Sequence, residues 1–388
     1  MVKRRGNHEG AIYQKKNGRW QAQISIEGNR LSKSFLSRKE CAGWIREITG
    51  QKEKGLTFSS ANLTFGEFFD QWLAIVKSRL RVKTWLQYRG IAIYHLIPRL
   101  GKLKLVQLKP TEIQSLYAAK LGDGISVRTV QLMHAVLRNS LGYAEKQGII
   151  PSNPTKRVDK PVMAKSEMAF LSDDQVRRLL SAAAGKTVEV LLQLAITTGM
   201  RQGELLGLKW SDVDWVAATL RVQRQLQRIP TLGLVFAQPK SKSSIRTVQL
   251  GAFTLKKLME HKDQQDMQFR LGENKENLIF PSSIGTPKEP RILLAEFKAL
   301  LKKADLPNIR FHDLRHTAAS LMLMSGMELM RISRQLGHSK PSITLDVYGH
   351  LIPGLENEAA QRLDELITST IAADLQQMAP KEPFKRSD

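Results

Sequence analysis

A chain of 388 residues, 42% of them hydrophobic and 6% aromatic, has material for two or three folded domains, which excludes a disordered polypeptide. Its formal charge is +24, and a single cysteine, Cys41, excludes an intramolecular disulfide and any cysteine-rich zinc site. No run of about 18 apolar residues occurs, and Met1–Gly10 lacks the apolar centre of a signal peptide, so the expectation is a soluble cytoplasmic protein with no membrane partner.

The charge is unevenly placed. Residues 1–60 carry 13 Lys and Arg against 5 Asp and Glu, residues 61–165 carry 17 against 6, and the remainder carries 30 against 25. Most of the excess therefore lies in the first 165 residues, the pattern expected of a protein that grips a phosphate backbone. An acidic membrane surface fits less well, because no basic amphipathic helix with a broad aromatic face stands out.

From Ala11 the pattern is β. Trp20, Ala22, Ile24 and Ile26 alternate with polar neighbours, the turns Lys16-Asn17-Gly18 and Glu27-Gly28-Asn29 bracket that strand, and Arg30 to Phe35 makes a third. Ser37 and Glu40 form a capping-box pattern ahead of Cys41, Trp44, Ile45 and Ile48, which share one helical face. A small sheet on one helix has a polar face able to enter a major groove, or serves only stability.

Residues 51–62 read as a polar linker. Thr64 and Glu67 form a second capping-box pattern, followed by Phe65, Phe68, Phe69, Trp72, Leu73 and Val76 at helical spacing. Further helices are predicted over residues 84–97, 111–120 and 126–146, with Lys77, Arg79, Arg81, Lys83, Arg89 and Arg128 on exposed faces. Pro151, Pro154 and Pro161 mark a stiff linker.

Beyond it, Ser172 and Gln175 cap a helix, and residues 188–198 form an apolar helix that Gly199 breaks just before Arg201. Residues 220–225 and 236–250 read as strands around the turn in PKSKSSIRTVQL; residues 255–270 and 293–303 read as helices, with a strand and loop at LIFPSSIGTP between them. Residues 311–350, FHDLRHTAASLMLMSGMELMRISRQLGHSKPSITLDVYGH, combine apolar helical spacing with His312, Arg315, His316, His338 and Tyr348. Gly326 and Gly337 are helix stops, Pro341 a new start, and Leu355, Ala359, Leu363, Leu366 and Ile367 continue at helical spacing toward a C-terminal tail.

Two lookalikes fail. Gly185-Lys186-Thr187 imitates the end of a P-loop, but Leu180 stands where the first glycine is needed. His312 and His316 are spaced like paired zinc ligands, but Asp313 follows the first and Arg315 lies between them.

A tyrosine beside arginines and histidines has the means to attack a phosphodiester, with cationic donors offsetting the charge on the phosphoryl oxygens. HDLRH, LGH and YGH in the 311–350 stretch, with TTGMRQGELLGLKWSDVD around Arg201, resemble the signature of the tyrosine recombinases of the phage-integrase family. The resemblance covers nearly the whole chain. It implies an α+β multidomain protein: an arm-type DNA-binding domain with a three-stranded sheet and helix at 1–55, an all-α SAM-like core-binding domain at 62–160, a mostly helical catalytic domain with a small sheet at 168–375, and a tail at 376–388.

The resemblance further implies a catalytic set of Arg201, Lys240, His312, Arg315, His338 and the nucleophile Tyr348, with Lys242 an alternative to Lys240. Glu204 would be the structural neighbour of Arg201, and His316 would hold the local fold. Cleavage would leave a 3′-phosphotyrosine and a 5′-hydroxyl, with no cofactor and no metal. The implied partners are double-stranded DNA with core and arm attachment sites, further copies of the chain as a homotetramer on DNA, a DNA-bending host factor and an excisionase, in a bacterial cytoplasm. A type IB topoisomerase and a catalytically dead DNA-binding protein are the competing readings.

Overall fold

Each of two units, Met1–Lys165 and Ser166–Asp388, closes around apolar cores of its own. The computed structural model describes residues 10–26, 29–53, 62–163, 169–239, 242–269, 273–348, 365 and 368. The expected helix after Tyr348 and the C-terminal tail fall outside that range, apart from residues 365 and 368. Among the described residues no helix is long and apolar enough to cross a membrane.

The first unit begins with a three-stranded antiparallel sheet in the order β1 (Ala11–Gln14), β2 (Trp20–Ile26), β3 (Asn29–Phe35). Period-two alternation turns Ala22 and Ile24 inward, where they pack with Cys41 and Ile45 of α1 (Arg38–Glu53). The capping box forms as expected, with Ser37 N–H donating to Glu40 (3.0 Å) and Glu40 N–H to Ser37 Oγ (3.2 Å). The helix runs on to Glu53, so the first residues of the expected linker are helical.

A second core gathers helices α2 (Phe65–Val76), α3 (Val82–Ile91), α4 (Ile97–Leu100), α5 (Pro110–Gly122) and α6 (Val127–Lys146). Phe65, Phe68, Phe69, Trp72 and Leu73 are all buried, as the spacing predicts. The predicted helix over 84–97 is interrupted by a π turn at Ala92–Leu96. Pro98 is the physical reason: its ring crowds the Tyr94 carbonyl and it has no N–H to donate, so the preceding turn widens. The proline-rich segment is not a free linker. Asn153 and Thr155 are buried, and Ile150 and Val158 join this core.

In the second unit α8 (Glu189–Thr198) is apolar nearly all round and buried along most of its length. Around it stand α7 (Asp173–Ala183), the short α9 (Gln202–Leu205), α10 (Ala252–Gln268), α11 (Pro290–Lys303) and α12 (Asp313–Met324). The β region departs from the single hairpin read from the sequence. Strands β4 (Val213–Asp214), β5 (Thr219–Val222) and β8 (Arg246–Gln249) form one antiparallel sheet, and β6 (Gln225–Ile229) with β7 (Gly233–Ala237) forms a separate hairpin inserted between β5 and β8. Pro230 and the left-handed Gly233 (φ 75°) make the extra turn. Residues 278–287 form only isolated bridges rather than a strand. After α12 the chain turns at Gly326 into α13 (Leu329–Leu336), then at Gly337 toward α14 (Pro341–Tyr348).

Candidate active site

Arg201 follows the break in α8 at Gly199, whose φ of 66° ends the helix in the left-handed region. The Arg201 backbone N–H and its guanidinium both donate to Glu204, the latter at 2.8 Å. Glu204 is almost wholly buried and is shared: Arg246 of β8 donates to its second oxygen at 3.0 Å. Arg246 also donates from Nε to the Gln335 carbonyl at the end of α13 and from Nη1 to the Ser244 carbonyl. Burial pushes the Glu204 carboxyl up, but Arg246 and then Arg201 outweigh it and hold it below its usual range.

Residues from α12 bring the next groups in. Arg315, 4% exposed, donates from Nη1 to the Gly199 carbonyl at 2.9 Å, whereas its Nη2 is buried with no hydrogen-bond partner among the described residues. Burial, then the nearby Arg201, draws this guanidinium down to about 9, and it stays charged at neutral pH. His312 is pulled down to about 4, first by burial and then by His316, Arg315 and Arg201. Asp313 receives two-nitrogen donation from Arg310 and the Arg310 backbone N–H, which pins the entry to α12.

Helices α13 and α14 close the group. His338 follows Gly337, its Nδ1 stands 2.8 Å from Thr344 Oγ1, and burial followed by Arg315, Arg201 and Arg246 brings it down to about 4. Tyr348, 3% exposed, ends α14 with its hydroxyl 2.7 Å from His316 Nδ1. Burial raises the phenol to about 12, against the opposing charge of Arg315. Lys240 lies outside the described residues, and Lys242 enters a short turn at Lys242–Ser244.

Five of the six residues singled out in the sequence thus come into one electrostatic neighbourhood, drawn from the α8 end, α12, the α13 end and α14. Three guanidiniums face one shared carboxylate, which leaves local positive charge and an unused buried donor: a site for an anion. His316, expected to hold the local fold, has its Nδ1 2.7 Å from the Tyr348 hydroxyl. Arg246 was missed, since an arginine in a strand gives no signal distinguishing a buried tie from a solvated charge. Among the described residues no group of His, Cys, Asp and Glu is placed to hold a metal ion.

Residues 169–353 match the family model described as "Phage integrase family", and residues 64–121 match the "Phage integrase, N-terminal SAM-like domain". A protein of Caldanaerobacter subterraneus named "Tyrosine recombinase XerC-like" is 29% identical over 381 residues, covering 90% of this chain and 97% of the relative. The fold is shared with the Tn1549 transposon integrase solved with a circular intermediate DNA (TM-score 0.67, 20% identity, 79% of this chain and 99% of that one). It is shared also with a lambda integrase tetramer bound to a Holliday junction (TM-score 0.56, 19% identity, 88% and 97%). With a catalytic-domain match enclosing every one of these converging side chains and a second match on the helical core before it, the chain belongs to the phage integrase family of tyrosine recombinases.

Proposed function

We propose that this protein is a site-specific DNA recombinase that breaks and rejoins strands through a 3′-phosphotyrosyl intermediate, integrating or excising a mobile element. The observation that carries the reading is the meeting of Tyr348 with Arg315, Arg201, His312 and His338 in one electrostatic neighbourhood. Arg315, whose Nη2 has no hydrogen-bond partner among the described residues, and Arg201 donate to the non-bridging oxygens of the scissile phosphate. Tyr348 attacks phosphorus in line with the departing 5′-oxygen. Lys240, or its alternative Lys242, protonates that oxygen. His312 and His338, held neutral by their surroundings, supply hydrogen bonds and proton transfer at the phosphate.

The covalent link conserves the energy of the phosphodiester, so resealing draws on no nucleotide. Division into an arm-type domain at 1–55, a core-binding domain at 62–160 and a catalytic domain at 168–375 belongs to the same proposal, as do tetramer assembly on DNA, a bending host factor and an excisionase. The lambda integrase tetramer on a Holliday junction supports the assembly by likeness.

The test is a nicked suicide duplex cut from the DNA flanking the gene. Wild-type protein should migrate as a covalent adduct on denaturing gels, and Tyr348→Phe should bind the duplex and form none, because only the attacking oxygen is lost. Adduct formation by Tyr348→Phe sinks the assignment. Transfer of the cleaved strand to a second site separates a recombinase from a topoisomerase, which reseals only the strand it cut.

A further inference from the structure

We propose that His316 is the base that takes the proton from Tyr348 as the tyrosine attacks, and the acid that returns it on resealing. The inference rests on the reading of Tyr348 as nucleophile and deepens it. Among the described residues, the hydrogen bond of the Tyr348 hydroxyl is to His316 Nδ1, at 2.7 Å. His312, the histidine that the family resemblance puts in the catalytic set, lies one helical turn earlier at the start of α12; its ring is edge-on to His316 with centroids 5.6 Å apart. The residue on the reacting atom is therefore the one that follows Arg315.

The chemistry balances with groups already named. In cleavage the bond from Tyr348 Oη to phosphorus forms, the bond from phosphorus to the 5′-oxygen breaks, the Oη proton moves to His316 Nδ1, and the leaving oxygen takes its proton from Lys240 or Lys242. Resealing runs each transfer backward. A buried phenol raised to about 12 carries almost no phenoxide at neutral pH, so a base in contact matters here. The groups facing His316 are Arg310, His312, Asp313 and Arg315 on its own segment, Tyr348 on α14, and His338 at the end of α13. Burial first, then Arg310 and Arg315 against the opposing Asp313, keep the imidazole below its usual range, so that it is neutral and ready to accept.

Single-turnover cleavage of the flanking-DNA suicide duplex, from about pH 5 to about pH 9, decides the matter. His316→Gln should bind DNA as wild type does and cleave roughly 10²- to 10⁴-fold more slowly at neutral pH, with a rate that climbs with pH as hydroxide replaces the base. Placing a fluorinated, more acidic tyrosine at 348 should shrink that defect. His312→Gln should keep the wild-type acid limb whatever its rate. Cleavage by His316→Gln within about threefold of wild type, or a defect that fluorination leaves unchanged, overturns the proposal. If His316→Gln fails to bind DNA, His316→Ala with added imidazole replaces it: recovered cleavage supports the base, and no recovery overturns it. A wild-type protein that forms no adduct at all fails the recombinase reading instead, which keeps the two failures apart.

Discussion

Arg246 divides one guanidinium among Glu204, the Gln335 carbonyl and the Ser244 carbonyl, and so ties β8 to the end of α13 and to the partner of Arg201. Taking it away leaves a buried carboxylate whose remaining ion-pair partner, Arg201, is one-third exposed. Removing one member of a buried pair costs about 3–5 kcal/mol, because the other charge stays desolvated. Arg246→Ala should therefore lower unfolding stability by about that amount, and single-turnover cleavage should fall as Arg201 loses its fixed setting. Arg246→Lys restores the charge without the fork and should fall between the two. Urea unfolding and a cleavage time course check both; an alanine variant neutral in each removes the residue from the positioning network.

The end of α8 does two things at once. Gly199 adopts φ 66°, and a Cβ there would lie 2.3 Å from Leu336 Cδ2, while its carbonyl accepts from Arg315. Gly199→Ala thus combines a left-handed backbone penalty with overpacking, on the order of 2–4 kcal/mol together, and it displaces the acceptor that sets Arg315. Cleavage should fall further than DNA affinity, by gel shift against adduct yield. At the start of α12 and at the α13–α14 junction a pH effect follows. His338 and His312 sit near 4 in the folded chain against about 6.5 when unfolded, so between those values the unfolded chain binds more protons. Stability from these two groups is complete above about pH 6.5 and is lost as pH falls toward 4. Melting temperature should drop through that window, and His338→Gln should flatten the slope.

Across the whole molecule the charge falls by segment, with residues 1–60 carrying an excess of 8 and residues 61–165 an excess of 11. Lys77, Arg79, Arg81, Lys83, Arg89 and Arg128 are exposed on the helical core, where Lys77 and Arg89 also lie over Trp85. The first sheet and α1 have their own small core, apart from that of the helices. Deleting residues 1–55 should then leave a protein that still forms the covalent adduct on a core-site duplex but no longer bridges it to a second, arm-type site. An insoluble truncation, or an isolated 1–60 fragment with no preference over random duplex at moderate salt, would count against an arm-binding role.

By itself the sequence determined what local chemistry controls. Capping boxes at Ser37, Thr64 and Ser172, the glycine stops at Gly199 and Gly337, and the aromatic face of α2 are each settled within a turn or two of chain, and the structure keeps them. Short motifs named the family for the same reason: HDLRH and its neighbours carry reactive groups at fixed spacing. Tertiary packing decided the rest. Whether β8 pairs with β7 or with β5 depends on competition between distant strands, and the pairing with β5 won while Pro230 and Gly233 turned the intervening residues into a hairpin of their own. Arg246 and His316 acquired their partners 42 and 32 residues away in sequence, at Glu204 and Tyr348. A side chain's charge is written in the sequence, but its contact across the fold exists only once the helices have packed, and that contact separates a buried tie or a base from a solvated side chain.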